Sequence, residues 1–297
     1  MTVGADFTDV IYTKHERVHG VARITINRPH RMNSTTQHTW SEIYQAAEDA
    51  DADPEIGVIV LTGAGERAFC AGGDVEQHPD RDPRATGFKH IGLLHGGLED
   101  TLKPVIARVC GYAIGGGNHL AYHCDLTIAC DDHAIFGQNG ARVGAQTAGN
   151  FVQDLAYIVG MKKAKELWMM CRRYSAAEAV EMGLANAAVP HDRLDDEVDQ
   201  WCRELLEKAP TSLALIKYVF RDVYKPLRDV SDPPRYVAEV NPAYYGEDGE
   251  ASEGKRSFLE KRPADFSPYR KNISGRLRAE RLAEASGESA ATAEQAG

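Results

Sequence analysis

The chain has 297 residues, 43% of them hydrophobic and 26% charged, with 34 Lys and Arg against 44 Asp and Glu for a formal net charge of −10. That length buries a full core in one large domain or two modest ones, and the composition is that of an ordinary globular protein. An acidic balance with no long basic run argues against a nucleic-acid surface, and it requires any anionic ligand to be held by a local basic patch.

The opening MTVGADFTDV has neither the charged nor the apolar region of a signal peptide. Residues 7–27 read as a hairpin, with β-branched Val21, Ile24 and Ile26 stopped by Pro29. Residues 35–52 carry apolar groups at helical spacing. IGVIVLTG (56–63) is a continuous apolar run, as in a strand covered on both faces. A polar loop at 78–87 precedes a helix near 88–102, and buried strands follow at 104–111 and 125–130. Met169, Met170 and Cys171 read as core. From about residue 191 the patterns are helical, over 192–209 and again over 210–224. Alternating strands and helices predict an α/β fold with parallel strands. The chain divides into a core over 1–195, a helical region over 196–274 and, from its Ala/Glu/Ser-rich composition, a flexible tail over 275–297. No run reaches the roughly 18 apolar residues of a spanning helix, so no membrane is expected. The six cysteines are scattered singly, which points to reduced thiols and a cytoplasmic protein.

Two glycine-rich turns carry the chemistry. In 111-GYAIGGGNHLAYHCD-125 a strand enters three glycines and a helix leaves them. Amides at a helix start are unpaired and lie at the positive end of its dipole, and glycine lets a ligand approach them closely. A second turn, 67-RAFCAGGDVEQ-77, also follows a buried strand. Two amides from separate strand ends can converge on one carbonyl oxygen and stabilise an enolate or a tetrahedral oxyanion.

RAFCAGGD and KPVIARVCGYAIGGGNHLA resemble the two signature regions of the crotonase (enoyl-CoA hydratase/isomerase) superfamily. INRPHRMNS, DLTIACDDHAIFGQ, SAAEAVEMGLANAAVP and EGKRSFLEKRPADFSPY extend the resemblance to about residue 270. It implies a ββα spiral with a C-terminal helical trimerisation region, assembled as a homotrimer or homohexamer. It implies an acyl-CoA substrate and no tightly bound cofactor. Gly73 and Gly116 would supply the oxyanion amides, and Arg31, Ala68, Cys70, Ala71 and Lys261 would contact CoA. GQNGARVG and KKAKELWMMCRRYS resemble the branch of 1,4-dihydroxy-2-naphthoyl-CoA synthase and, more closely, 2-ketocyclohexanecarboxyl-CoA hydrolase. One closes a ring and the other opens one.

Hydratases of this superfamily use two glutamates, and here those places hold His119 and Gly140. In some members of the branch a bicarbonate ion, held by a Gln and a Trp, stands in for a missing carboxylate; Gln138 and Trp168 match those positions. Thr147 and Val152 occupy places where the branch has an aspartate and a serine. Asp154, two helical turns beyond Thr147, is a candidate replacement acid. His119 lies three residues past Gly116, on the same helix face, and its imidazole can activate water. His123 follows one turn later, but no third ligand has a motif spacing, so no metal is expected. Tyr245 resembles the branch's C-terminal tyrosine, with Tyr244 as the alternative. His78 and His95 border the substrate or lie on the surface. These features favour hydrolytic C–C ring cleavage of a cyclic β-keto acyl-CoA. The alternatives are hydratase or isomerase chemistry, ring closure as in the synthase, and a non-catalytic acyl-CoA-binding module.

Overall fold

A computed structural model describes residues 3, 4, 6–76, 98, 100–145, 150–230, 241, 244, 246 and 248–272. The expected hairpin forms from β1 (Val10–Lys14) and β2 (Val21–Ile26), antiparallel with Val10 opposite Ile26 and Lys14 opposite Ala22. Parallel strands then extend the sheet: β3 (Val58–Gly63), β5 (Val105–Val109), β7 (Leu126–Cys130) and β10 (Ala187–Val189), in the order β1-β2-β3-β5-β7-β10. Every residue of β3 and β5 is buried, as their unbroken apolar runs require.

A smaller sheet is built from three-residue strands: β4 (Ala68–Cys70), β6 (Tyr112–Ile114), β8 (Ile135–Gly137) and β9 (Arg173–Ser175), in the order β4-β6-β8-β9. The chain passes from the large sheet to the small one three times, from β3 to β4, β5 to β6 and β7 to β8. Among the described residues, the passages from β5 to β6 and from β7 to β8 each lead on to a helix, as the expected ββα spiral requires. The strands of the small sheet are too short to show a period of two in the sequence.

Helix α1 (Gln37–Ala52) starts at a capping box between Thr36 and Thr39 and buries Ile43, Ala46, Ala47 and Ala50 at helical spacing. Helix α2 (Gly116–His123) follows β6. After β8 come α3 (Asn150–Val159) and α4 (Met161–Met170), and after β9 a short helix, α5 (Ala176–Glu181). Helix α4 turns Ala164, Leu167 and Trp168 inward, which places Met169 and Met170 on its outer face, exposed rather than in the core; Cys171 is buried. All six cysteines are buried and free.

The boundary drawn at residue 195 falls just inside α6 (Leu194–Leu206), whose Leu194, Val198 and Cys202 are buried with the core. Two helices, α7 (Pro210–Val230) and α8 (Glu250–Leu259), complete the described C-terminal region. Leu215, Ile216, Tyr218, Val219 and Phe220 of α7 are between 48% and 67% exposed. No described helix is long and apolar enough to cross a membrane. The expected helix near 88–102 lies largely outside the described residues, as do the loop with His78 and His95 and the tail over 275–297.

Candidate active site

The three consecutive glycines have separable reasons. Gly115 takes φ +56° and ψ −118°, a backbone conformation that side chains disfavour, and this turns β6 into α2. Gly117 packs so tightly that a Cβ there would stand 1.8 Å from the Cys70 carbonyl oxygen. Gly116 lies between them and faces the second turn: its Cβ position is 3.4 Å from the Gly72 Cα and 3.6 Å from the Gly73 nitrogen. The two glycine turns are therefore in contact. Neither the Gly73 nor the Gly116 amide donates to a carbonyl among the described residues.

The Gly73 turn is clamped from both sides. Thr35 N donates to Gly72 O at 2.8 Å, and Asp74 N donates to Thr35 O at 2.9 Å. The buried Asp74 carboxylate accepts from Arg28 Nη2 at 3.0 Å and from Arg31 Nη2 at 2.9 Å. Burial pushes this carboxyl up, but the hydrogen bonds from Arg31 and Arg28 outweigh it and hold the group at about 2. Arg31 also pairs with Glu76 at 2.7 Å, so this candidate CoA contact stands at the rim with its charge already met by two carboxylates. The clamp was not legible in the sequence, because Arg28 and Asp74 lie 46 residues apart.

Ala68 and Cys70 point their side chains into the core. The Ala68 carbonyl accepts from Asn33 Nδ2 at 2.6 Å, and burial pushes the Cys70 thiol up to about 12. Ala71, just beyond β4, is partly exposed, unlike Ala68 and Cys70. Lys261 is exposed beyond α8; among the described residues no hydrogen bond or ion pair joins it to the glycine turns.

His119 sits one turn into α2 and is buried. Its Nε2 lies 3.2 Å from Gln138 Oε1. Its ring stacks on Phe151 of α3, with centroids 4.7 Å apart, and meets the Trp168 ring of α4 at 5.3 Å. Gln138 follows β8, and its carbonyl is held by Arg173 Nη1 at 2.8 Å; Gly140 opens the 3₁₀ turn two residues later. The structure thus brings His119, Gln138 and Trp168 together from three elements. Gln138 Nε2 and Trp168 Nε1 are both buried donors with no hydrogen-bond partner among the described residues.

Asp154 is also buried, one turn beyond Phe151, and its Oδ2 lies 3.9 Å from His123 Nε2. Phe151, a residue the sequence did not single out, is therefore the α3 side chain against His119, and Asp154 faces the second histidine. Burial drives the His123 imidazole down to about 4 against the pull of Asp154. Tyr244 donates to the Gly144 carbonyl at 2.6 Å and so ties the C-terminal region to the loop that leads toward residue 147. Thr147 and Tyr245 themselves lie outside the described residues.

The family model described as enoyl-CoA hydratase/isomerase matches residues 16–269. The chain belongs to this family. Among solved structures, this crotonase-superfamily chain is similar to a methylmalonyl-CoA decarboxylase in complex with 2-nitronate-propionyl-CoA, at 26% identity and TM-score 0.78 over 88% of this chain and 98% of that one. It is similar to an enoyl-CoA hydratase of Mycobacterium avium subsp. paratuberculosis K-10 at 26% identity and TM-score 0.72, covering 88% and 99%. The enoyl-CoA hydratase subunit I of Geobacillus kaustophilus HTA426 is 31% identical with TM-score 0.68, covering 89% and 99%. The fold is that of the crotonase superfamily, and the protein is an acyl-CoA-processing enzyme of it.

Proposed function

We propose that this enzyme opens the ring of a cyclic β-keto acyl-CoA by hydrolysis. The observation that carries the reading is the environment of His119: where a hydratase has paired glutamates this chain has His119 and Gly140, and beside the imidazole stand two buried donors, Gln138 Nε2 and Trp168 Nε1, with no hydrogen-bond partner among the described residues. With Gln138 Oε1 accepting from Nε2–H, the His119 Nδ1 is the basic nitrogen. It takes a proton from water as the oxygen attacks the ring ketone. The C–C bond to Cα breaks, its electron pair moves into the thioester, and the enolate oxygen rests between the Gly73 and Gly116 amides. Such donors contribute about 3–4 kcal/mol each in other oxyanion holes. Protonation at Cα, assigned to Tyr245, leaves a free carboxylate and an intact thioester, so one water is consumed. A bicarbonate ion fits the Gln138 and Trp168 donors, where it would supply the basic oxygen that Gly140 lacks.

CoA is held, on this reading, along the backbone at Ala71 with Arg31 and Lys261 toward its phosphates. The exposed apolar face of α7 supports burial against further copies in a trimer or a pair of trimers. The six free buried thiols support a cytoplasmic location.

The likeness to methylmalonyl-CoA decarboxylase favours a second reading, decarboxylation of a β-carboxyl acyl-CoA, which passes through the same enolate and needs no glutamate pair. Purified enzyme incubated with 2-ketocyclohexanecarboxyl-CoA, methylmalonyl-CoA and crotonyl-CoA, each followed by mass spectrometry, separates the cases. Ring cleavage adds one water and a carboxylate to the first. Loss of carbon dioxide from the second, or hydration of the third without change in the first, overturns the proposal. Binding of all three without turnover leaves a non-catalytic module.

A further inference from the structure

Where β5, β7 and β10 reach their C-terminal ends, four metal-ligating side chains converge. Cys110 follows β5, Cys130 ends β7, His133 lies in the turn from β7 to β8, and His191 follows β10. Because these three strands are adjacent and parallel, residues up to 81 positions apart arrive at one corner of the sheet. One ligand atom from each of the four lies within 4.8 Å of all the others.

The individual distances describe more than crowding. Cys110 Sγ is 3.5 Å from His191 Nδ1, Cys130 Sγ is 3.4 Å from His133 Nδ1, and Cys130 Sγ is 3.6 Å from the same His191 Nδ1. A tetrahedral zinc ion with sulfur at about 2.3 Å and nitrogen at about 2.0–2.1 Å sets its S···N edges near 3.6 Å. The His133 and His191 rings stand edge to face at 89°, so they approach a common point without stacking. Cys110 Sγ also lies 3.6 Å from the Glu66 carbonyl oxygen, which its thiol proton can reach, whereas Cys130 Sγ faces two histidine nitrogens and His191 Nδ1 has a single in-plane site for both sulfurs.

The surroundings are those of a ligated histidine. His191 Nε2 lies 3.2 Å from Glu66 Oε1, the carboxylate–histidine pairing that fixes a tautomer and leaves Nδ1 free to bind a metal. The His191 backbone N–H donates to Asp132 Oδ2 at 3.0 Å, which anchors the loop on the other side. Both sulfurs belong to buried residues, while His133 is exposed and gives an ion a way in from solvent.

We propose that Cys110, Cys130, His133 and His191 hold a structural zinc ion, with Glu66 orienting His191. The sequence led to no metal being expected, because the ligands are delivered by separate strands and show no motif spacing. With four protein ligands the ion has no open position, so it acts as a clasp. It ties the corner where β5 leaves the large sheet for β6 to the corner where β7 leaves for β8, and both to the turn entering α6.

Full-length untagged protein, reduced and stripped with chelator, is titrated with Co²⁺ and then with Zn²⁺. The expected result is about one equivalent of Co²⁺ per chain, with thiolate-to-cobalt charge-transfer bands and the intense d–d bands of a tetrahedral S₂N₂ site, displaced by Zn²⁺ with a rise in Tm. Cys110→Ser and His191→Ala are expected to lose the bands and the Tm shift, while Cys202→Ala, a buried thiol outside the cluster, keeps both. The weak spectrum of six-coordinate cobalt in the wild-type chain, or substoichiometric binding at saturating metal, overturns the proposal without reference to any variant. Bands that survive in folded Cys110→Ser or His191→Ala overturn it equally.

Discussion

A buried N–H without an acceptor costs stability, on the order of 1–3 kcal/mol, so Gln138 Nε2 and Trp168 Nε1 beside His119 ask for an acceptor brought by the substrate or an ion. This separates function from packing. Trp168→Phe keeps an aromatic ring against His119 and removes the orphan donor. Its Tm is expected to hold or rise while kcat falls; a lost Tm with kcat preserved in the folded fraction would make Trp168 a packing residue alone. His119→Ala removes the assigned base, and kcat is expected to drop by about 10²–10⁴-fold with acyl-CoA affinity nearly unchanged. Equal kcat for the two proteins would take His119 out of the mechanism. The sequence led to His119, Gln138 and Trp168 through resemblance, but not to Phe151 or to the unpaired state of the two donors. Their partners come from other elements, so no local pattern marks them.

At the scale of elements, five strands of the large sheet were legible, while β10 and the small sheet were not. Strands β3 and β5 are covered on both faces and so are written as unbroken apolar runs, whereas β4, β6, β8 and β9 have three residues each and are defined by their neighbours. The glycine turns were legible as turns, but the division of labour within GGG was not, since it depends on Cys70 standing against Gly117. That contact gives an element-level prediction. Gly117→Ala drives a methyl into the Cys70 carbonyl, at 1.8 Å if nothing moves, so α2 must back away from β4. The cost is expected to reach about 1–3 kcal/mol or more, and folded Gly117→Ala should lose kcat because Gly116 moves with its helix. Denaturant melts and single-turnover rates on one preparation check both parts. Near-normal stability and rate would mean that the packing between α2 and β4 is softer than described.

Over the whole molecule, two properties follow from how burial is distributed. The apolar row on α7 is expected to be covered by other copies, and sedimentation should show a trimer or hexamer that Val219→Glu or Phe220→Glu shifts toward monomer; an unaltered distribution would leave that face outside the assembly. Acid sensitivity follows from the buried imidazole. His123 packs against Asp154 and titrates near 4 in the fold, below the ordinary 6.5 it regains on unfolding. A depressed base favours the native state above its unfolded pKa, so stability is full above about pH 6.5 and declines as pH falls toward 4, by up to about 3 kcal/mol. Asp74 acts in a separate window: its folded value of about 2 lies below the ordinary 3.8, so its contribution is complete at higher pH and fades only as pH drops through 3.8 toward 2. Denaturant melts between pH 8 and 4 at fixed protein concentration should therefore show a decline that His123→Gln flattens, with acid unfolding below pH 4 retained. An identical slope in the variant would mean that His123 is not the proton acceptor that unfolding exposes.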